Sequence, residues 1–357
     1  MPSPPNSLDR RRITIRDVAA LAAVDVSLVS RVLNDHPKAS AGRATRERIL
    51  DAARTLGYQP NVAARGLRMA RTWTLGLLLP NLTNPLYATI AGAAERRAQE
   101  RGFGLFFGTQ VEGEEEATFA RMLQQGRVDG LLTASGVLGD RFLRRFAGGE
   151  RGPVVMLNRR VRGVPSAVTV DDAAGAALAI QHLAKLGHER VAGIFGPRSI
   201  DTTRRRRTGF LAAAARAGVH ATAVDVAGLD PVAGSLAAGE IFANHGEVTA
   251  LFASTFAIGT GVLRAARRAC VRIPEDVSLV ALHDSELADY LNPALTTVSL
   301  PVAEMAQRAV DLLVDQIGGS APHSVVVRTA PKLVLRESTG QPRKSNRLNP
   351  ATPPLRP

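Results

Sequence analysis

The sequence predicts an all-α N-terminal headpiece followed by an α/β body in two lobes, and three observations carry that prediction. Residues 14 to 34, TIRDVAALAAVDVSLVSRVLN, hold two short amphipathic repeats interrupted after Ala22. From Trp73 onward, apolar runs of strand length alternate with helical stretches over about 265 residues, more than one ordinary doubly wound unit contains. Charge is divided unequally: residues 1–72 carry 13 Lys/Arg against 6 Asp/Glu, residues 341–357 four basic side chains and no acid, and the stretch between them 28 against 26. The formal net charge of +13 therefore belongs mainly to the two ends. Such a division is expected of a chain whose ends meet a polyanion while its body does not.

The first helix is expected over 15–22, because Ile15, Val18, Ala19 and Ala22 share one face. Thr14 is its N-cap, and Asp17 three residues on completes a capping-box pattern with a shorter acid than usual. A second helix starts after Asp25, whose carboxylate suits free first-turn amides and the positive end of the macrodipole. Val29, Val32 and Leu33 then face inward; Val26, Ser27, Ser30, Arg31 and Asn34 face outward, with the size and hydrogen-bonding capacity to enter a major groove. A plain helical hairpin would show the same pattern, so the following segments decide. A third helix is expected from about Thr45 to Leu56, stopped by Gly57. Pro60 then breaks the chain, Asn61 can cap, and about two helical turns end near Leu67. So short a helix forms only against a partner.

Residues 13–72 resemble the DNA-binding headpiece and hinge of the lactose/galactose repressor family of bacterial transcription regulators, through TIRDVAALA, VSRVLN, TRERIL, LGYQPN and PNVAARGLR in that order. The resemblance implies a helix-turn-helix domain at 13–59 and a hinge and linker at 60–72. It further implies that Val26 and Ser27 probe bases, that Arg31 reads a base or phosphate, and that Thr14, Ser30 and Asn34 contact the backbone. In the hinge, Asn61 and Ala64 join the DNA-binding set, and Leu67 wedges into the minor groove at the centre of a palindrome. This chain departs from the family pattern at Ala23, usually Gly, at Leu28, usually a hydroxyl residue, and in a segment at 40–44 about two residues longer than usual.

In the body, TLGLLLP, GLFFG, GLLTA and PVVML read as buried parallel strands, with helices near 86–101, 114–125 and 140–147. A second series follows: helix 173–186, strand 190–195, helix 204–217, helix 232–244, strand 249–253, helix 258–269 and strand 277–282. The family resemblance continues through LGLLLPNLTNPLY, GRVDGLL, HLAKLGHERVAGIFGP, RRTGF, IPEDVSLVALHDS, LNPALTTVSLP and KLVLREST. It implies a periplasmic-binding-protein-like (type I) body at 73–340, with lobe 1 at about 73–171 and 299–323 and lobe 2 at about 172–298 and 324–340. Residues 1–12 and 341–357 read as disordered basic arm and tail.

Catalytic signatures are missing. Gly102-Phe103-Gly104 with Gly108 is not GxGxxG, and no P-loop, HExxH or GxSxG occurs. His182 and His188 are expected to pack or cap, and Asp171-Asp172 to cap a helix instead of forming an acid/base pair. The single Cys270, expected to be a small apolar residue near a helix end, allows no internal disulfide. No enzyme activity, cofactor or metal is expected. No apolar run has signal-peptide or membrane-spanning length, so a cytoplasmic, non-membrane protein is expected.

The resemblance places a small-molecule effector in the cleft between lobes, at the carboxyl ends of the strands. Arg206 matches the ligand-binding arginine of sugar-binding members and is expected to face the ligand, whereas its neighbours Arg204, Arg205 and Arg207 could equally be a solvated helix face. Leu86 and Tyr87 match an apolar wall, Asn158 a position usually Asp, and Leu229 a position often aromatic. Thr255-Phe256 stand where Asn-Asp is usual, and His283-Asp284 where Asp-Asp is usual. Lost carboxylates weaken a sugar site; His283 with Arg206 suits an anionic or mixed aromatic-polar ligand, and a cleft without a ligand is the alternative. The reading that follows is a homodimeric transcription regulator, most often a repressor in this family, on a palindromic double-stranded operator. The alternative is a cytosolic ligand receptor or architectural DNA-binding protein without a single operator.

Overall fold

A computed structural model describes residues 13–33, 41–58, 71–80, 82–109, 126–134 and 152–343. The expectations for Asn34, for the hinge residues Asn61, Ala64 and Leu67, for helices 114–125 and 140–147, for the arm 1–12 and for the tail beyond 343 lie outside the described residues. The chain divides into two compact units, Met1–Thr72 and Trp73–Pro357.

The first unit is built from α1 (Ile15–Ala22), α2 (Val26–Leu33) and α3 (Arg43–Leu56). Its core is small and aliphatic: Val18, Ala19, Ala22, Val29, Val32, Ile49, Ala52 and Ala53 are buried, with Ile15, Leu28, Leu33 and Leu56 packed around them. The apolar spacing along each helix thus becomes one shared core. α3 begins two residues before Thr45, with Gly42 as its N-cap, and ends at Gly57, whose φ of 61° closes the last turn as only glycine does without strain.

The second unit contains two six-stranded sheets. The first comprises β1 (Thr74–Leu79), β2 (Gly104–Thr109), β3 (Gly130–Thr133), β4 (Val154–Leu157), β5 (Ala167–Thr169) and β11 (Ser324–Val326), ordered β11-β5-β4-β3-β1-β2 and parallel throughout. The second comprises β6 (Arg190–Phe195), β7 (His220–Asp225), β8 (Ala250–Ala253), β9 (Ser278–Leu282), β10 (Thr297–Ser299) and β12 (Lys332–Val334), ordered β12-β10-β9-β8-β6-β7; only β12 runs antiparallel. Around them lie α4 (Pro85–Glu100), α5 (Asp172–Lys185), α6 (Asp201–Ala217), α7 (Pro231–Asn244), α8 (Phe256–Arg268) and α9 (Val302–Ile317). Central strands β1, β3, β4, β8 and β9 are almost wholly buried, as helices on both faces of a parallel sheet require.

Several expectations change. The last crossing between lobes comes later than residue 323, because β11 adds to the first sheet beside β5 and only β12 returns to the second. GLFFG is an edge strand, with Phe106 43% and Phe107 38% exposed, not a buried one. Strand β7, absent from the sequence reading, occupies the opposite edge of the second sheet. Its Ala-rich, half-exposed residues make no apolar run, and pairing along β6 defines it. Helix α6 starts at Asp201, three residues early. Cys270 is exposed and left-handed at φ 53°, so it packs into no core. Among the described residues, no helix is long and apolar enough to cross a membrane.

Candidate DNA-reading face and ligand cleft

On the first unit, the cap of α1 forms between Thr14 and Asp17: the Asp17 carboxylate accepts the Thr14 amide at 2.7 Å and the Thr14 hydroxyl at 2.7 Å. Asp25 accepts the Ser27 amide at 2.7 Å, and hydrogen bonds from Ser27 hold its carboxyl below the usual range. The outward face of α2 carries Val26, 37% exposed, together with Ser27, Ser30 and Arg31. Arg31 is folded back one turn, donating from Nη2 to Ser27 Oγ at 3.0 Å and from Nε to Ser27 O at 3.2 Å. Ser27 and Arg31, two of the three side chains assigned to base reading, therefore hold each other in the isolated chain. Thr14, assigned to the phosphate backbone, has its hydroxyl proton committed to Asp17, and a phosphate offers only acceptors.

In the second unit, a cavity of about 470 Å³ lies between the lobes. Leu86, Tyr87, Asn158, Arg206, Leu229 and Thr255 line it, so six of the eight effector residues named from sequence come together. Each is brought there by the end of a strand or the start of a helix. Asn84 caps α4 by accepting from the Leu86 amide at 3.1 Å, which turns Leu86 and Tyr87 into the cavity wall. Asn158 follows β4 in a left-handed conformation at φ 57°, with its Oδ1 buried and unpartnered. Thr255 caps α8 through Oγ1, which accepts from the Ile258 amide at 3.1 Å. Asp230 caps α7 in the same way and also lines the cavity.

Arg206 is 2% exposed and held from behind. Its Nε donates to Asp172 Oδ1 at 2.7 Å, Nη1 to Ser254 O at 2.9 Å and Nη2 to His283 Nε2 at 2.8 Å. Of a guanidinium's five N–H bonds, three are thus committed and two remain for the cavity. Gly209 makes this packing possible: a Cβ there would lie 2.4 Å from Ala173 O, so α6 approaches α5 closely enough for Asp172 to reach the arginines. Burial pushes the Tyr87 phenol up, opposed by the nearby Arg206 and Arg159, so its hydroxyl stays protonated as a donor.

Two residues assigned to the effector lie elsewhere. Phe256 is 5% exposed and belongs to the second-lobe core, in the same buried cluster as Ile258 and Val262, where its apolar ring gains by leaving water. His283 stands behind Arg206 and does not line the cavity. Since a guanidinium only donates, His283 Nε2 must accept, which makes the ring neutral with its proton on Nδ1. Burial, reinforced by the Arg206 charge, holds its pKa well below the ordinary value. It therefore adds no positive charge for an anionic ligand. Sequence reasoning missed Asp172, which is fully buried and paired with both Arg205 and Arg206. Of the adjacent acids, only Asp171 caps α5, accepting from the Ala174 amide at 2.9 Å. His188 packs as expected, against Thr249, Ser278 and Gly340 O.

Residues 14–61 match the profile of bacterial regulatory proteins of the lacI family, and residues 180–339 that of a periplasmic binding protein-like domain. The transcriptional regulator CelR of Thermobifida fusca is 34% identical over 340 residues, which span 92% of this chain and 99% of that protein. The chain belongs to the LacI family. DegA of Bacillus subtilis, another helix-turn-helix regulator, is 30% identical over 336 residues, covering 92% and 98%. A crystal structure of the Lac repressor dimer with operator and the anti-inducer ONPF superposes with a TM-score of 0.76 at 25% identity, over 92% of this chain and 100% of that one. A CelR–cellobiose complex gives 0.66 at 31% identity over 92% and 100%. This LacI-family member is accordingly a DNA-binding transcriptional regulator, with a helix-turn-helix headpiece and a two-lobed periplasmic-binding-protein-like body.

Proposed function

We propose that this regulator is a cytoplasmic repressor that binds a palindromic operator as a homodimer, answers to a small molecule in the interlobe cavity, and catalyses no reaction. The observation that carries the reading is the cavity itself: about 470 Å³ walled by both lobes, with a buried arginine that keeps two donors for an occupant. On the headpiece, Val26 and Ser27 read base edges, Arg31 reads a base or a phosphate, and Ser30 and Asn34 meet the backbone, as Thr14 does once its hydroxyl turns from Asp17. Asn61 and Ala64 add DNA contacts from the hinge, and Leu67 acts in the minor groove. One headpiece makes few contacts, so two copies are needed to place two recognition helices on one face of DNA. Differential affinity of the effector for two lobe arrangements then changes operator affinity by the same factor as DNA changes effector affinity.

The lining also limits the effector. Leu86, Tyr87, Leu157, Ile200 and Leu229 give it apolar walls, and Arg206 offers donors to an acceptor. With His283 neutral, Asp172 balancing Arg206, and Arg159 and Asp230 of opposite charge both on the lining, the cavity suits a neutral or singly charged molecule that carries acceptors. The test is selection of genomic fragments by the full chain at two salt concentrations. Recovery of one palindrome, retained when salt is raised, supports the reading. Uniform recovery of all sequences, lost with salt, would sink it. Genes beside the palindrome then nominate effectors, each scored by whether it shifts the melting temperature of the wild type and not of Arg206→Met.

A further inference from the structure

Besides walling the cavity, the segment after β4 is fastened to the other lobe at two points. The Asn158 carbonyl, in the first lobe, accepts from Arg205 Nη2 of α6 at 3.0 Å. The Arg160 amide donates to Asp201 Oδ2, in the first turn of α6, at 3.0 Å. Arg205 is set between two carboxylates of its own lobe, with Nη2 2.6 Å from Asp172 Oδ2 and Nη1 3.3 Å from Asp201 Oδ2. Its side chain is 22% exposed, Asp201 15% and Asp172 0%. Bonds of this kind, between ionised groups and backbone in partly dehydrated surroundings, are stronger than those in water.

We infer that Arg205, positioned by Asp172 and Asp201, is a latch holding residues 158–160 of the first lobe on the start of α6, and that the lobes separate only when it lets go. Three features make a latch of these contacts. Asn158 holds a left-handed backbone, an arrangement that costs free energy and persists where its surroundings fix it; the Arg205 bond to its carbonyl is one such restraint. Both fastened groups of the first lobe belong to the backbone, so the grip depends on lobe position and not on the side chains of residues 158 and 160. Asp172 divides its two oxygens between Arg205 and Arg206, so latch and cavity arginine share one buried anion. Whatever draws Arg206 toward the cavity changes the hold on Arg205. Arg205 is thus a positioning residue of the lobe interface, distinct from the residues that line the cavity, and the inference does not depend on the identity of an effector.

Hydrogen exchange of the full chain without added ligand tests it, together with spin-label distances between one label on α4 and one on α7 in a Cys270→Ser background. Arg205→Met should speed exchange of peptides spanning 158–160 by about ten-fold and broaden the distance distribution. Peptides from α5 and the body of α6 should stay protected. Asp201→Asn, which leaves the buried Asp172 with both arginines, should give the same local pattern more weakly, and Arg205→Lys should restore part of the distance distribution. Unchanged exchange at 158–160 in both variants would overturn the latch. So would loss of protection throughout α5 and α6 in Asp201→Asn, since the contacts would then serve only to hold the second lobe together.

Discussion

Ala23 adopts φ 52° and ψ 50° at the end of α1, where its amide bonds Ala19 O and Ala20 O. A β-carbon in that left-handed region costs on the order of 1 kcal/mol. Ala23→Gly should therefore stabilise the headpiece by about 0.5–1 kcal/mol, seen as slower proteolysis of the headpiece within the full chain. His283 shows a second residue-scale constraint. Burial keeps it neutral in the fold, whereas the unfolded chain binds a proton near pH 6.5. The unfolded state therefore holds more protons in acid, so the His283 contribution is intact above that value and is lost as pH falls below it. Burial shifts His182 and His188 in the same direction. The melting temperature should drop between about pH 7.5 and about pH 5.5, and His283→Gln should flatten that drop without removing it.

Helix α2 is short, and its reading face is already internally bonded: Arg31 lies on Ser27. Base recognition must exchange those bonds for contacts with DNA. Arg31→Ala should lose about 1–3 kcal/mol of discrimination between operator and single-base variants, measured by binding isotherms at fixed salt, while nonspecific affinity changes little. The start of α8 shows how far an element can be read from its neighbours in sequence. Thr255, expected in the cleft, lines it and also caps the helix, which only the structure shows, whereas Phe256 was expected in the cleft and is in the core. Phe256→Asp, the family's usual residue, should lower stability by about 3 kcal/mol by emptying an aromatic site, without producing polyol binding in a thermal-shift assay. Of the helices named from sequence, those within the described residues start within a few residues of the expected places, since caps and periodicity act within one or two turns, whereas α9 was not named. Strand β7 was not, because an edge strand is defined by its partner.

For the whole molecule, the 3-10 segment Glu286–Tyr290 exposes Leu287 at 49% and Tyr290 at 84%, and the ion pair between Arg336 and Asp289 joins it to the segment that carries Leu335, itself 63% exposed. Apolar surface of this kind calls for a partner, and a second copy is the one the proposed function needs. Tyr290→Asp should raise the dimer dissociation constant about ten-fold in sedimentation, with the melting temperature of the body little changed.

Sequence by itself determined the order of elements in the headpiece, the alternation of the body, the division of charge and, through motifs in series, the family. These are short-range signals: capping, periodicity and strings of neighbouring residues. Tertiary structure alone decided that Asp172 is the buried anion behind Arg206, that Arg206 is thereby anchored from behind, and that His283 is neutral and out of reach of a ligand. It also decided that β11 belongs to the first sheet. Asp172 and Arg206 are 34 residues apart, Arg206 and His283 77 apart, and Ser324 lies 157 positions beyond its strand partner Ala167. Burial, and with it charge state, depends on neighbours that only the folded chain assembles, and no local pattern records them.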